Sequence, residues 1–247
     1  MHDFRNGLIL ITGAASGIGA ATARLLAERG AAELVLIDRD GAGLDALDLP
    51  CPARRIAGDV ADEVMWDGLD LAGLTHAVAN AGIGEGKPIA ETSLADWRRV
   101  MAVNLDGVFL TLRTAMRAMP AAGAIVVTAS AAGIKAEPSI GAYGASKAAV
   151  LHLTRIAARE GATRGLRVNA IAPGGVETPI WRGIPFFDRM ASAQGEPAAF
   201  KAMAAAATPL GRFATAQEIA RQIAFLLSDD AATMTGSVLV SDGGYSI

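Results

Sequence analysis

Tyr143 and Lys147 stand four residues apart in the stretch Tyr143-Gly144-Ala145-Ser146-Lys147, in a chain with only two tyrosines and four lysines. Chance placement gives that spacing with a probability of about 0.03. On a helix both side chains share a face, which holds the ammonium near the phenol. At about 5 Å, in an effective dielectric of about 20, attraction to a phenolate is on the order of 3 kcal/mol, or about two pK units. Burial works in the opposite direction. A phenol tuned in this way can act as a general acid or base near neutral or mildly alkaline pH. Ser130, upstream of Tyr143, follows a strand-like run and could donate its hydroxyl to a carbonyl oxygen as negative charge develops there. Alone it would be one more loop serine. Asn104 breaks an otherwise helical apolar run (Met101, Val103, Leu105, Val108), a place that suits asparagine poorly. A buried polar role beside Lys147 and a simple irregularity both remain open.

A second set of residues suits a phosphate-bearing ligand. Thr12-Gly13-Ala14-Ala15-Ser16-Gly17-Ile18-Gly19 joins a strand-like run to a helix-like one. Glycine lets the chain turn tightly, and backbone N–H groups at a helix N-terminus stabilise a pyrophosphate. The spacing is G-x-x-x-G-x-G rather than G-x-G-x-x-G, and outside this context it would be an ordinary loop. Asp38 ends the next strand-like run. Its carboxylate could accept both ribose hydroxyls of NAD and would repel the 2′-phosphate of NADP. Arg39 follows directly and could neutralise such a phosphate, so NAD is favoured over NADP on Asp38 alone. Asp59-Val60 and Asn80-Ala81-Gly82 follow two further strand-like runs. There an acid could receive an adenine amino group, and small residues let the backbone pass close to a ribose. The positive ring of an oxidised nicotinamide beside Tyr143 would favour the phenolate.

Short apolar runs alternate with segments of helical period, which predicts a parallel sheet with helices on both faces. Strands are expected at 8–11, 34–37, 55–56, 77–79, 124–128, 167–171 and 237–240, and long helices at 94–119, 143–164 and 216–227. The third crossover, 61–74, is short and holds a few helical turns at most. Gly13, Asp38, Asp59, Asn80, Ser130 and Pro173 each fall at the C-terminal end of an expected strand. In an open parallel sheet those ends form the ligand-binding edge. The topology alone gathers them along one rim.

Other classes of function fit poorly. With 52% hydrophobic and 19% charged residues, the chain is too apolar for disorder and has ample material for one domain. Its 22 basic and 25 acidic side chains nearly cancel and are scattered, so neither nucleic acid nor a membrane surface is an expected partner. Cys51 is the only cysteine. That excludes an internal disulfide and suits a reducing, cytoplasmic setting. Residues 1–5 are polar, unlike a signal peptide. His2, His76 and His152 lie far apart without partners at metal spacing, so no metal is expected. No G-x-S-x-G turn points to a hydrolase.

Taken together, the glycine pattern at 12–19, Asn80-Ala81-Gly82, Asn104, Ser130 and Tyr143-x-x-x-Lys147 resemble the short-chain dehydrogenase/reductase family in order and spacing. Arg167 to Thr178, with Pro173, Gly174 and Val176, is similar to the family segment that contacts the nicotinamide amide, and Met234 to Gly244 to its last strand. The resemblance covers essentially the whole chain. It implies a single-domain, doubly wound Rossmann-type sheet of about seven strands, and hydride transfer between NAD(P) and a small-molecule alcohol or carbonyl substrate. By the same resemblance Tyr143 is the general acid/base, Lys147 tunes it and binds the ribose, Ser130 positions the substrate oxygen, and Asn104 completes a proton relay. A homotetramer is implied through the helices at 94–119 and 143–164. Ala79 replaces an asparagine common in the family, and the short third crossover could alter the adenine pocket. Two alternatives remain: an NADPH-dependent 3-oxoacyl-carrier-protein reductase, disfavoured by Asp38, and a non-catalytic dinucleotide-binding regulator, disfavoured by the intact Tyr–Lys pair.

Residues 179–209 lack an expected strand, and a stretch of that length in a compact domain reads as a functional lid. Pro179, Ile180, Trp181, Ile184, Pro185, Phe186, Phe187 and Met190 give it an apolar face. That face is expected to close over a mostly apolar secondary alcohol or ketone. Packing of the segment on the core is the plainer alternative.

Overall fold

The computed structural model describes residues 4–119 and 121–247; His2 and the rest of the first three residues lie outside it. Seven strands form one sheet: β1 (Leu8–Thr12), β2 (Glu33–Asp38), β3 (Ala53–Ala57), β4 (Leu74–Ala79), β5 (Gly123–Thr128), β6 (Leu166–Pro173) and, after two short strands described below, β9 (Val238–Ser241). Their order is β3-β2-β1-β4-β5-β6-β9, and every pairing is parallel. Runs such as Leu-Ile-Leu-Ile-Thr and Gly-Ala-Ile-Val-Val-Thr are apolar almost throughout because the sheet is covered on both faces. Alternation along each strand divides the core. Leu10, Val35 and Ile125 pack on one face with Val150 and Leu151, while Ile9, Ile11 and Leu36 pack on the other with Leu26, Ile219 and Ile223.

The helices are α1 (Gly17–Glu28), α2 (Gly41–Asp45), α3 (Glu63–Asp67), α4 (Leu94–Met101), α5 (Gly107–Ala118), α6 (Gly141–Gly161), α7 (Pro185–Gln194), α8 (Glu196–Ala207) and α9 (Ala216–Leu227). The last begins at a capping box, in which Thr215 and Glu218 each accept or donate across the first turn. The expected doubly wound sheet is present, with its seven strands up to three residues longer than expected or shifted by one. The third crossover is as short as its sequence implied, five helical residues in α3.

Two features depart from the expected elements. The helix expected over 94–119 is interrupted by a π-helical turn at Ala102–Asp106, which contains Asn104. A separate two-stranded sheet pairs β7 (Val176–Glu177) with β8 (Ala214–Thr215). Strands of two residues leave no periodic signal. This pair brackets the 179–209 segment and fixes both its ends beside β6.

Candidate active site

The chain runs outward from β1 to β3 and then reverses to β4, so a crevice opens between the C-terminal ends of β1 and β4, where ligands bind in such sheets. A cleft of about 920 Å³ lies there. Gly13, Asp38, Asp59, Asn80, Ser130 and Pro173 all line it, as the order of elements required.

One half is built from strand ends. Gly13 turns with φ +66°, and a side chain there would strike the Ala81 Cα at 2.8 Å. Ser16 is extended and leaves α1 without a side-chain cap, so the helix N-terminus keeps its N–H groups for a ligand. The Asp38 carboxylate accepts N–H from Ala15 and Asp40, each at 3.0 Å, which ties the tip of β2 to the glycine turn. Exposed Arg39 lies beside it on the cleft wall. Asp59 accepts the Ala61 N–H at 3.0 Å. Buried Val60 packs near Gly107, and its carbonyl receives the Trp66 indole N–H at 2.9 Å. Ser16, Gly17, Ile18, Ala81, Gly82, Gly174, Val176 and Thr178 line the same cleft.

Gly19 lies behind the cleft wall, and Asn80, which lines it, has a structural task as well. Gly19 is buried behind the turn, where a Cβ would run into the Gly13 carbonyl; its place is in helix–strand packing. The Asn80 amide donates to the carbonyls of Thr12 (3.1 Å) and Gly13 (3.2 Å) and so holds the ends of β1 and β4 together. A glycine turn that nothing can fill from within, an open helix N-terminus and an acid at the tip of β2 fit a dinucleotide.

Ser130, Tyr143 and Lys147, the residues expected to react, lie at the other end. Ser130 follows β5, and its hydroxyl accepts the Ala132 N–H at 3.1 Å. Tyr143 stands on the first turn of α6. Its ring is partly open to the cleft but otherwise enclosed by protein; that burial pushes the phenol above its ordinary value, and a hydrogen bond with Ser130 pulls partly back. Lys147 is buried, with its ammonium 5.7 Å from the Tyr143 ring centroid and donating to the Thr128 carbonyl at 2.9 Å. Burial pushes this lysine down to about 8. Within the chain itself, then, desolvation outweighs the attraction expected to lower the phenol. Both charged forms are disfavoured by the same apolar surroundings.

Asn104 does not line the cleft. Its Oδ1 accepts the Ile83 N–H (2.8 Å), and its Nδ2 donates to the Ile83 carbonyl (3.0 Å) and to Ser146 Oγ (3.2 Å). Ser146 Oγ in turn donates to the Tyr143 carbonyl at 2.7 Å. The π-turn thereby turns an asparagine inward to join the loop after β4 to the first turn of α6, a position where π-bulges often serve a site. Among the described residues no bond joins it to Lys147, although both lie next to Gly82.

The remaining walls were only partly legible. Pro179, Ile180, Trp181, Ile184 and Phe186 line the cleft, but Phe187 and Met190 do not. Phe187 is fully buried in a separate cluster with Ala199, Phe200, Ala204 and Phe213. The apolar face of this segment is therefore split between the cleft and a small core of its own. Lys135, Glu137, Met203, Phe213 and Tyr245 also line the cleft and escaped the sequence reading, because no motif or period links them.

A family model described as enoyl-(acyl carrier protein) reductase matches residues 13–246. A solved short-chain type dehydrogenase/reductase from Mycobacterium marinum superposes with a TM-score of 0.88 at 33% identity, covering 99% of this chain and 97% of its own. The chain belongs to the short-chain dehydrogenase/reductase family. Within that family it is similar to cis-4-hydroxycyclohexanecarboxylate dehydrogenase from Sinomonas cyclohexanicum, 43% identical over 98% of both chains. It is also similar to cyclohexanol dehydrogenase from Acinetobacter sp. (strain SE19), 38% identical over 99% of this chain and 97% of the relative. Among the described residues no helix is long and apolar enough to cross a bilayer.

Proposed function

We propose that this chain is an NAD-dependent dehydrogenase that interconverts a mostly apolar, cyclic secondary alcohol and its ketone. The observation that carries this reading is the phenol of Tyr143, hydrogen-bonded to Ser130 beside buried Lys147, facing a cleft walled by Ile83, Ile140, Ile180, Trp181, Ile184 and Phe186. The named activities of the two cyclohexane-alcohol relatives support it.

When bound, the nicotinamide dinucleotide supplies or takes up the hydride. Everything else falls to the chain. Ser130 donates to the substrate oxygen and Tyr143 moves the proton at that oxygen, as acid in reduction and as base in oxidation. Lys147 holds positive charge behind the phenol and a ribose hydroxyl in front of it. Asn104 positions Tyr143 and the loop after β4, and forms the inner end of a proton relay. Asp38 would hold the adenosine ribose through its hydroxyls, which favours NAD. The 179–209 segment acts as a lid that excludes water. Exposed Leu94, Trp97, Phe109 and Ile156 on α4, α5 and α6 would be covered in a homotetramer. The lone Cys51 suits the cytoplasm.

The test is absorbance of NADH during incubation of the purified protein with cyclohexanol and NAD, and of cyclohexanone with NADH, with NADP(H) in parallel. Turnover with NAD and cyclic alcohols is expected; absence of turnover with every secondary alcohol and either dinucleotide would refute the reading. Light scattering at micromolar concentration checks the tetramer.

A further inference from the structure

Tyr245, from the segment after β9, lines the cleft. After β9, Asp242-Gly243-Gly244-Tyr245 turns back toward the site. Gly243 and Gly244 take φ +65° and +87°, a pair of left-handed conformations that suits glycine alone. The Asp242 carboxylate accepts N–H from Gly244 and Ser246, each at 2.9 Å, and fixes the turn. The turn is wedged between Gly174 and Pro209. A Cβ at Gly174 would lie 2.8 Å from the Asp242 Cα, and one at Gly244 would lie 2.8 Å from Pro209 Cγ.

Tyr245 arrives at the loop between Ser130 and Tyr143 and is pinned there. Lys135 Nζ donates to the Tyr245 carbonyl at 2.8 Å and stands 4.3 Å from the centroid of its ring. Glu137 pairs with Lys135 at 3.6 Å and accepts a hydrogen bond from the Tyr245 phenol, which burial and then that acid hold above the usual tyrosine range. Lys135, Glu137 and Tyr245 all line the cleft. Tyr245 is half-buried and joins none of the buried apolar clusters. What it contributes is a rigid aromatic wall.

We propose that Tyr245, held by Lys135 and Glu137, is a specificity-determining residue. It limits how far a substituent on the substrate can extend beyond the carbinol carbon, so that compact cyclic secondary alcohols enter and those bulky opposite the hydroxyl are rejected. This rests on reading the cleft as the site of a secondary-alcohol dehydrogenase.

The experiment compares cyclohexanol with 4-tert-butylcyclohexanol, with NAD, in the full-length wild type and the variants Tyr245→Ala, Tyr245→Phe and Lys135→Met. In Tyr245→Ala the kcat/KM ratio of the bulky to the compact alcohol should rise about tenfold, carried by KM. Lys135→Met, which frees the tail while keeping the ring, should move the ratio the same way but less. Tyr245→Phe keeps ring and lysine contacts and should stay near wild type. Melting temperatures show whether each variant is folded; should Tyr245→Ala fail to fold, Lys135→Met decides. A ratio unchanged in folded Tyr245→Ala, or in Lys135→Met when it decides, overturns the proposal. Loss of all turnover in the wild type itself would instead overturn the dehydrogenase reading.

Discussion

Asp38 and Phe186 line the same cleft, but different things hold them in place. Asp38 ends a strand buried on both faces, and two backbone N–H groups fix its carboxylate. Phe186 stands on the ten-residue helix α7, is 43% exposed and meets Trp181 edge-on at 6.3 Å. The half of the cleft proposed for the dinucleotide is thus an extension of the sheet, while the half proposed for the substrate is a set of attachments: the loop after β4, the 179–209 segment with its own small core, and the segment after β9. A residue in the first half cannot move without disturbing β1, β2 or β4. Residues of the second half can change while the sheet stays as it is. If that division holds, substitutions at strand ends should abolish or redirect chemistry, and substitutions in the attachments should shift substrate preference.

The largest effect is expected at the junction of the halves. Tyr143→Phe removes the oxygen that moves the proton and little else, so kcat should fall by about three orders of magnitude or more with NAD affinity and melting temperature nearly unchanged. Retention of more than about a tenth of wild-type kcat would remove Tyr143 from the mechanism. Next comes Asp38→Ala. It should weaken NAD and relieve repulsion of NADP, shifting the NAD/NADP ratio of kcat/KM by about ten- to a hundredfold, with Arg39 in reach of the phosphate. A wild type that already prefers NADP would contradict the role given to Asp38.

Lys147 supplies the third. Burial depresses its folded value to about 8, below the unfolded value, so between about pH 8 and 10.5 the unfolded chain binds the extra proton. Stability should rise with pH across that window, as the cost of burying an ammonium disappears, and Lys147→Met should lose that rise. Reductive kcat/KM should do the opposite and fall about tenfold per unit above pH 8, since the site needs the charge. A reductive profile flat to pH 9.5 would mean that the lysine stays charged or that its charge is idle.

How much of this was visible beforehand follows the same division. The seven strands announced themselves because a sheet covered on both faces demands continuous apolar runs, and the rim residues followed from where those runs stop. Gly13, Ser130, Tyr143 and Lys147 were legible because motif and topology agreed. The π-turn at Asn104 was visible only as a misplaced asparagine. The Tyr143 phenol, expected to be lowered by Lys147 with the help of an oxidised nicotinamide, is raised in the chain alone because burial dominates, and the depth of that burial has no sequence signal. Phe186 and Phe187 read alike in sequence, since a lid with its own core has no period that assigns each ring to a side. Tyr245 carried no signal, because its contacts with Lys135 and Glu137 span most of the latter half of the chain.

Those two adjacent phenylalanines give the smallest effect on activity and the most direct test of the comparison. Phe187 is 1% exposed and packs on Phe200 at 4.9 Å, inside the segment's own cluster. Phe187→Ala should therefore behave as a core truncation, costing about 3–5 kcal/mol of stability if the segment unfolds with the domain. Phe186→Ala removes a ring that faces the cleft, so stability should change by less than about 1 kcal/mol. Its effect should appear in selectivity. Along a homologous series of aliphatic secondary alcohols the wild type should gain about fourfold in kcat/KM per methylene, the equivalent of about 0.8 kcal/mol each, until the pocket fills. Phe186→Ala should flatten that slope several-fold at the same protein concentration and pH. A flat series in the wild type, or a preference for polyols, would make Phe186 packing like its neighbour and erase the distinction between a lid that recognises substrate and one that only covers it.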